Sequence, residues 1–435
     1  MCPTVSPTPE ARHSRPGEYP WAALPLIGTD PVRRRCDQRA CPPNTPGKTR
    51  KDRGSGVRVD AAGKFLAAQR LTCGTGWRLI FLSSARGGFA SSDTVEDMNG
   101  VELSRLYYQS IVAPLLEQYN GGIAHAAGRL GTGSDVLGFD DDMSRDHDWG
   151  MRLTLLVESA SLNGLSDYLD AHLPDNVHGH PTRFSLSNDP TIRHRIDIDT
   201  AERFTAERLG FDATARINAL EWLATSSQSI LEVTKGPVFA DTIGTLTEIR
   251  RRLRWYPDDV WRYVVATSWA RLAEELPLMS RAGIRGDELG ASIIAARLVG
   301  VAMRLGFQLE RTWAPYPKWF GAAFTALPRA SACGDELAAT LRARSWQERQ
   351  HHISAVCEYL YAFQRSTALP TIPGPVLEPF HDRPFFTVRQ AAINALMPPD
   401  SHVGVGSVDQ WSDNVAVLTA PQRRLAATRA LHDIE

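Results

Sequence analysis

Two kinds of periodicity divide this chain. From about residue 99 to 202 short apolar runs alternate with helical stripes, and from about 203 onward the spacing is helical almost throughout. Leu103, Leu106, Tyr107, Ile111, Leu115 and Leu116 fall on one face of a helix predicted over Leu103 to Tyr119, which Asn120-Gly121-Gly122 ends. A short Ala-rich strand follows over Ile123 to Gly131, then a Leu- and Val-rich strand over Trp149 to Glu158. A helix over Leu165 to Leu173 and strands at Thr182 to Leu186 and His194 to Ile198 complete the set. Beyond Glu202, apolar residues three and four apart predict helices over Leu209–Ala224, Ile243–Tyr256, Val260–Glu275, Gly286–Leu305 and Gln347–Gln364. Pro257, Pro277, Gly283, Pro315 and Pro370 punctuate them. A final helix is expected over Val408–Val417 or Pro421–His432. The fold class is α+β: a small mixed sheet over 98–202, an all-helical domain over 203–399 and a helical tail over 400–435.

Residues 1–97 carry neither pattern. They are rich in Pro, Arg and Gly, as in Pro31-Val-Arg-Arg-Arg-Cys36, with one short helix expected near Ala61 to Leu71. Such a stretch cannot bury enough apolar surface to offset its ordering entropy, so a disordered basic extension is expected, with Met98 as the natural start. A chain of 435 residues with 43% hydrophobic and 22% charged positions can build an ordinary core. Its net charge of -1 gives no general pull toward long nucleic acid or an acidic membrane. The sequence shows no apolar run of the roughly 20 residues that span a bilayer, so the cytoplasm is the expected location. Six cysteines at irregular spacing make no disulfide framework, and Cys36, Cys41 and Cys73 lack the partners of a zinc site.

The chemistry concentrates between the first two strands. Gly131-Thr132-Gly133-Ser134 offers backbone N–H groups with little side chain in the way, as phosphate binding requires. After a gap of eleven residues come Asp146 and Asp148, which in extended chain share a face while His147 points away. Two convergent carboxylates suit Mg²⁺. Asp197 and Asp199 alternate in the same sense near the end of a later strand, and Asp197 is the one within the apolar alternation. Asp140-Asp141-Asp142 lacks the glycine and terminal Glu of a calcium loop and reads as a solvated turn. Arg145, just after it, either reaches phosphate or pairs with these acids.

Gly133-Ser134, an eleven-residue gap and Asp146-x-Asp148 resemble the signature of the nucleotidyltransferase superfamily, the DNA polymerase beta-like enzymes that include antibiotic adenylyltransferases. The longer string from Gly133 through Phe139 and Ser144-Arg145-Asp146-His147-Asp148 to Gly150 resembles, more narrowly, the DUF4037 family. The resemblance implies transfer of a nucleoside monophosphate, most simply AMP from ATP, to a hydroxyl acceptor with loss of pyrophosphate. It implies two Mg²⁺ ions held by Asp146, Asp148 and Asp197, with Gly133, Ser134 and Arg145 at the nucleotide. Asp197 would sit on the acceptor side and take the hydroxyl proton, a role equally open to a base from the helical domain such as Glu274 or Glu275. Lys318, opening a helix after Pro315 and Pro317, is implied to face the triphosphate across a cleft. Arg297 is expected to pair with Glu274 or Glu310. The acceptor, a small molecule first and a protein or RNA end otherwise, is not identified by the resemblance. The alternatives are a non-catalytic nucleotide sensor and a phosphohydrolase that uses the same metals.

Overall fold

The computed structural model describes residues 98–139, 149–187, 189–398 and 403–432, all within one unit, Gly87–Glu435. The expected extension over 1–97, with its helix near Ala61 and its cysteines, lies outside the described residues.

The first helical stretch runs as α1 (Gly100–Tyr107), one π turn (Tyr108–Val112) and α2 (Ala113–Gln118). Asn99 and Glu102 cap its start reciprocally. Asn120, Gly121 and Gly122 all take positive φ and end it. Strand β1 (His125–Gly128) leads into the glycine turn and the short α3 (Ser134–Leu137). Then come β2 (Arg152–Val157), α4 (Leu165–His172), the small pair β3 (Asn176–Val177) and β4 (His180–Pro181), and the hairpin partners β5 (Arg183–Leu186) and β6 (Asp189–Asp199).

Helix α5 (Ala201–Leu209) follows directly, capped by Thr200. The helix predicted over Leu209–Ala224 is instead broken: Gly210 turns left-handed, the chain loops, and Asn218 with Glu221 caps a new helix, α6 (Ala219–Ala224). The loop satisfies its backbone through side chains, with Thr205 Oγ accepting from the Ala213 N–H and Arg252 donating to the Thr214 and Ala215 carbonyls. After α7 (Ser227–Thr234), strand β7 (Val238–Asp241) returns to the sheet, an element the periodicity does not predict.

The mixed sheet has the order β5-β6-β2-β1-β7. β2 and β6 run parallel, and β1 is antiparallel to both β2 and β7. Alternation along β2 divides two cores. Leu153, Leu155 and Val157 face a cluster built with Leu103, Tyr107 and Leu116 of α1 and α2 and Leu165 and Leu169 of α4. Leu156 and, on β1, Ala126 face the other way, into the large core that continues through Phe204 and Ile230 to the helical region.

That region is α8 (Thr245–Arg252), α9 (Asp258–Ile284), α10 (Glu288–Leu309), α11 (Pro317–Thr325), α12 (Gly334–Arg342) and α13 (Trp346–Gln364). A hairpin, β8 (Leu377–Pro379) with β9 (Phe386–Val388), and the short α14 (Gln390–Asn394) follow. The chain closes with α15 (Val408–Trp411), α16 (Val415–Leu418) and α17 (Pro421–Leu431). Pro277 and Gly283 do not end α9, as their punctuation predicts, but lie within it. Pro277 has no N–H for the carbonyl four residues back. That carbonyl, on Ala273, accepts instead from Thr387 Oγ of β9 at 2.8 Å. Helix α10 is, by length and composition, long and apolar enough to cross a membrane, though the sequence was read as lacking such a run; here its buried stripe, including Leu298, Ala302 and Leu305, is part of the helical core.

Gly283 marks a close crossing, since a Cβ there would come within 2.2 Å of Trp346 Cβ at the start of α13. Gly300 in α10 has nothing within 4 Å of the same position. Gly283→Ala should therefore cost about 1–3 kcal/mol through overpacking. Gly300→Ala should gain about 0.5–1 kcal/mol from helix propensity alone. Urea denaturation of the two variants checks the opposite signs.

Candidate functional site

β1 ends at Gly128 against the approaching β7 segment, where a Cβ would meet the Pro237 carbonyl at 2.6 Å. The next residue, Arg129, is 3% exposed and fixes the turn that follows. Its guanidinium grips Asp135 twice, at 2.7 and 3.0 Å, and donates to the carbonyls of Leu130 and Thr132. Inside this brace Gly133 has φ 141°, and a side chain there would lie 2.1 Å from Asp135 Oδ1. Only glycine fits. The turn is tied to the region beyond the sheet as well: Gly131 N–H donates to the Glu232 carbonyl of α7 and Arg129 N–H to Pro237. Ser134 opens α3 directly after it.

Register places Asp197 level with Gly128, the last residue of β1, from which the chain continues into this turn. Gly128 pairs with Thr154, and Thr154 with Asp197, so the three form one row across β1, β2 and β6 on a single face. Asp197 is exposed and makes no hydrogen bond or ion pair among the described residues. Asp199, two residues on, accepts from the Thr200 N–H and pairs with Arg203 at 3.2 Å. Both line a groove of about 520 Å³ beside the free edge of β6, together with Phe204 and Arg208 of α5 and Ser166 and His194. Arg195, fully buried on the same strand, is structural: it donates to the Phe184 carbonyl and pairs with Asp189 at 2.7 Å, holding that carboxyl far below the usual range.

Arg208 links the groove to the turn, with its guanidinium 3.4 Å from where a Cβ on Gly131 would stand. Near it, burial pushes the Glu232 carboxyl above the usual carboxylate range, opposed by a hydrogen bond from Gln228 and by the charge of Arg208 and Arg424. Neither Arg208 nor Glu232 announces itself in the sequence, where both are ordinary charged positions on helices.

Lys318 is the second residue of α11, exposed, with its ammonium over the Trp319 ring. The opposite partner of Trp319 is Phe139, stacked at 4.8 Å and 9°. Helix α11 is thus fastened to the segment just past the glycine turn. Arg145, Asp146, Asp148, His147 and the acidic run at Asp140–Asp142 lie outside the described residues. Among the described residues no cluster of three or more His, Cys, Asp or Glu side chains is placed to hold a metal ion.

The helical acids take other duties. Arg297 pairs with Glu275 at 2.9 Å, not with Glu274 or Glu310 as the sequence suggests, and Arg271 holds the same carboxylate at 3.1 Å. Glu310 accepts from the Arg329 and Ala330 N–H groups. Glu274 borders a different groove, against the β8–β9 hairpin.

Residues 222–320 match a family described as "Domain of unknown function (DUF4037)". The matched segment begins in α6, includes β7 and Lys318, and lies beyond the glycine turn. No curated protein matches the sequence. Among solved structures the chain is distantly similar to the crystal structure of a nucleotidyltransferase-like protein from Exiguobacterium sibiricum 255-15. Identity is 13% and the TM-score 0.27, with 63% of this chain and 83% of that one covered. A likeness this loose carries no inference about chemistry.

His194, on the groove wall, gives a pH test of the local structure. Its Nδ1 lies 3.3 Å from the Ile196 N–H and Nε2 lies 3.4 Å from Ser166 Oγ, an arrangement that needs the neutral ring. Burial holds its pKa below the ordinary value of 6.5. The folded state therefore binds fewer protons than the unfolded one between the two values. Stability from this residue is complete above about pH 6.5 and is lost as pH falls toward the folded value. Thermal unfolding at pH 7.5 and 5.5 should show a fall in Tm that is smaller in His194→Gln than in the parent.

Proposed function

We propose that this chain is a Mg²⁺-dependent nucleotidyltransferase that moves a nucleoside monophosphate, most simply AMP from ATP, onto a hydroxyl acceptor. The observation that supports the reading is the row Gly128–Thr154–Asp197. It sets, on one sheet face, a carboxylate with no partner among the described residues level with the end of β1, which leads into the glycine turn. The resemblance of Gly133-Ser134 and Asp146-x-Asp148 to the superfamily signature supplies the rest. The residues fit the ion by donor chemistry. Asp197, with Asp146 and Asp148, would form a set of hard carboxylate oxygens, the kind Mg²⁺ accepts alongside substrate phosphates. Asp197 is exposed to the groove, and no partner among the described residues competes for it. When bound, the metal neutralises the triphosphate and the departing pyrophosphate.

The chain's own residues position and exchange charge. Gly133 and Ser134 present backbone N–H groups to phosphate oxygens. Arg145 and Lys318 would add positive charge to the triphosphate, Lys318 from the helix fastened to Phe139. The acceptor hydroxyl would lose its proton to an Asp197 carboxylate oxygen as its oxygen bonds to the α-phosphorus. The α–β phosphoanhydride bond breaks and pyrophosphate leaves. Domain limits at 98–202 for the nucleotide-binding part and 203–399 for the acceptor side belong to the same proposal, with β7 contributed to the sheet from the later segment. A small-molecule acceptor fits a groove of this size.

Incubation of the full chain with Mg²⁺ and each α-labelled nucleoside triphosphate, across a panel of hydroxyl acceptors, tests the reading. Label joined to an acceptor, with pyrophosphate released and all turnover lost on chelation, is expected. Asp146→Asn, Asp148→Asn and Asp197→Asn should each lower kcat by at least about 100-fold. Transfer that survives these changes, or label found only as free monophosphate, would show the assignment to be wrong.

A further inference from the structure

We propose that Arg208 is the cation that grips the phosphate chain opposite the glycine turn, and that Arg424 of the C-terminal helix sets where it stands. The inference rests on the function proposed above and names a residue that neither the superfamily signature nor the DUF4037 match assigns. Arg208 is the next-to-last residue of α5, and its guanidinium lies flat over Phe204, 4.0 Å from the ring centroid. One nitrogen, Nη1, donates to the Phe204 carbonyl at 3.3 Å and lies 3.6 Å from the well-exposed Glu207 carboxylate. The other edge, Nε and Nη2, donates to nothing among the described residues. That edge is the one nearest the turn, at 3.7 and 3.4 Å from the Cβ position of Gly131. Paired N–H groups on one edge of a guanidinium are what binds phosphate oxygens bidentately. Across from it, the N–H groups of Thr132 and Gly133 also have no acceptor among the described residues, whereas that of Gly131 is spent on Glu232. A polyphosphate would satisfy both sides at once.

The placement of Arg208 depends on a distant part of the chain. Arg424 of α17 is 1% exposed and spends its whole guanidinium on the ends of other elements. Nη2 donates to the Arg208 and Leu209 carbonyls at 2.9 and 3.3 Å, Nε to Ala224, and Nη1 to Ser229 Oγ and the Leu418 carbonyl. It takes the place of the missing intrahelical partners at the end of α5. Arg424 is thus a positioning residue, acting through Arg208.

Isothermal titration of the full chain with ATP plus Mg²⁺, and separately with inorganic tripolyphosphate, tests both parts. Arg208→Ala should weaken both probes by at least about tenfold and Arg208→Lys by less, because lysine keeps the charge without the fork. Arg424→Lys should weaken them in the parent but have no further effect once Arg208 is Ala, a non-additivity that general destabilisation would not produce. If the parent binds neither probe, this inference falls together with the nucleotidyltransferase reading. If the parent binds and Arg208→Ala binds within about twofold of it, Arg208 is not the anchor while that reading stands. Additive losses in the double variant would remove Arg424 from the proposal. Should Arg208→Ala melt far below the parent, Arg208→Gln, which keeps a planar polar head, is judged by the same criterion.

Discussion

The constraint on which this fold depends is the two-residue alternation of β2. One strand of six residues has to satisfy two different cores, and it does so by sending Leu153, Leu155 and Val157 one way and Leu156 the other. A slip of one residue would exchange the faces and place Thr154 among α1, α2 and α4. The same alternation sets what the groove can contain. Thr154 and its neighbours in the row, Gly128 and Asp197, stand on the face where the sheet meets α5, and Asp197 at the end of the row lines the groove. A polar row can persist there because part of it still reaches solvent, so no unpaired charge has to be buried.

Around that row the chain uses buried arginines as fasteners. Arg129 shapes the glycine turn, Arg195 binds the β5–β6 hairpin, and Arg424 ties the last helix to the ends of α5 and α6. Each is nearly fully buried, and each spends its donors on backbone carbonyls as well as, in the first two, a carboxylate. A buried guanidinium left without such partners would cost several kcal/mol, so these contacts hold the backbone in one arrangement. The consequence is a rigid floor. The turn, the start of α3 and the end of α5 are set by charged networks rather than by loop propensity.

Elements whose signal is local were legible in the sequence. The apolar stripe of Leu103 to Leu116, the Leu-Thr-Leu-Leu-Val run and the stops at Asn120–Gly122 translate directly into α1, α2, β2 and the turn that ends the first helical stretch. Elements fixed by contacts far along the chain were not. β7 has four half-buried residues and no alternation, and it is a strand because the edge of β1 needed a partner. Pro277 reads as a helix stop, and only Thr387, more than a hundred residues away, can take the carbonyl that proline leaves free. The break at Gly210 is carried by a single residue inside an otherwise apolar-periodic stretch. For the site, the glycine turn and the choice of Asp197 over Asp199 could be argued from spacing. The nearness of Arg208 and Glu232 to that turn could not, because it arises from α5 and α7 packing on either side of it.

The contrast between Asp197 and Asp199 shows how little separates a structural carboxylate from an available one. Both alternate to the same face, both line the groove, and they are two residues apart. Asp199 lies at the strand exit, where α5 begins, and the N–H of Thr200 and the side chain of Arg203 are within reach. Helix starts collect carboxylates because their first N–H groups lack partners and carry partial positive charge. Asp199 is absorbed by that demand. Asp197, one step of the alternation earlier, stands beside Thr154 in a strand whose backbone groups are already paired toward β2. Its carboxylate, with no partner among the described residues, keeps its charge at the groove wall, where water can solvate it.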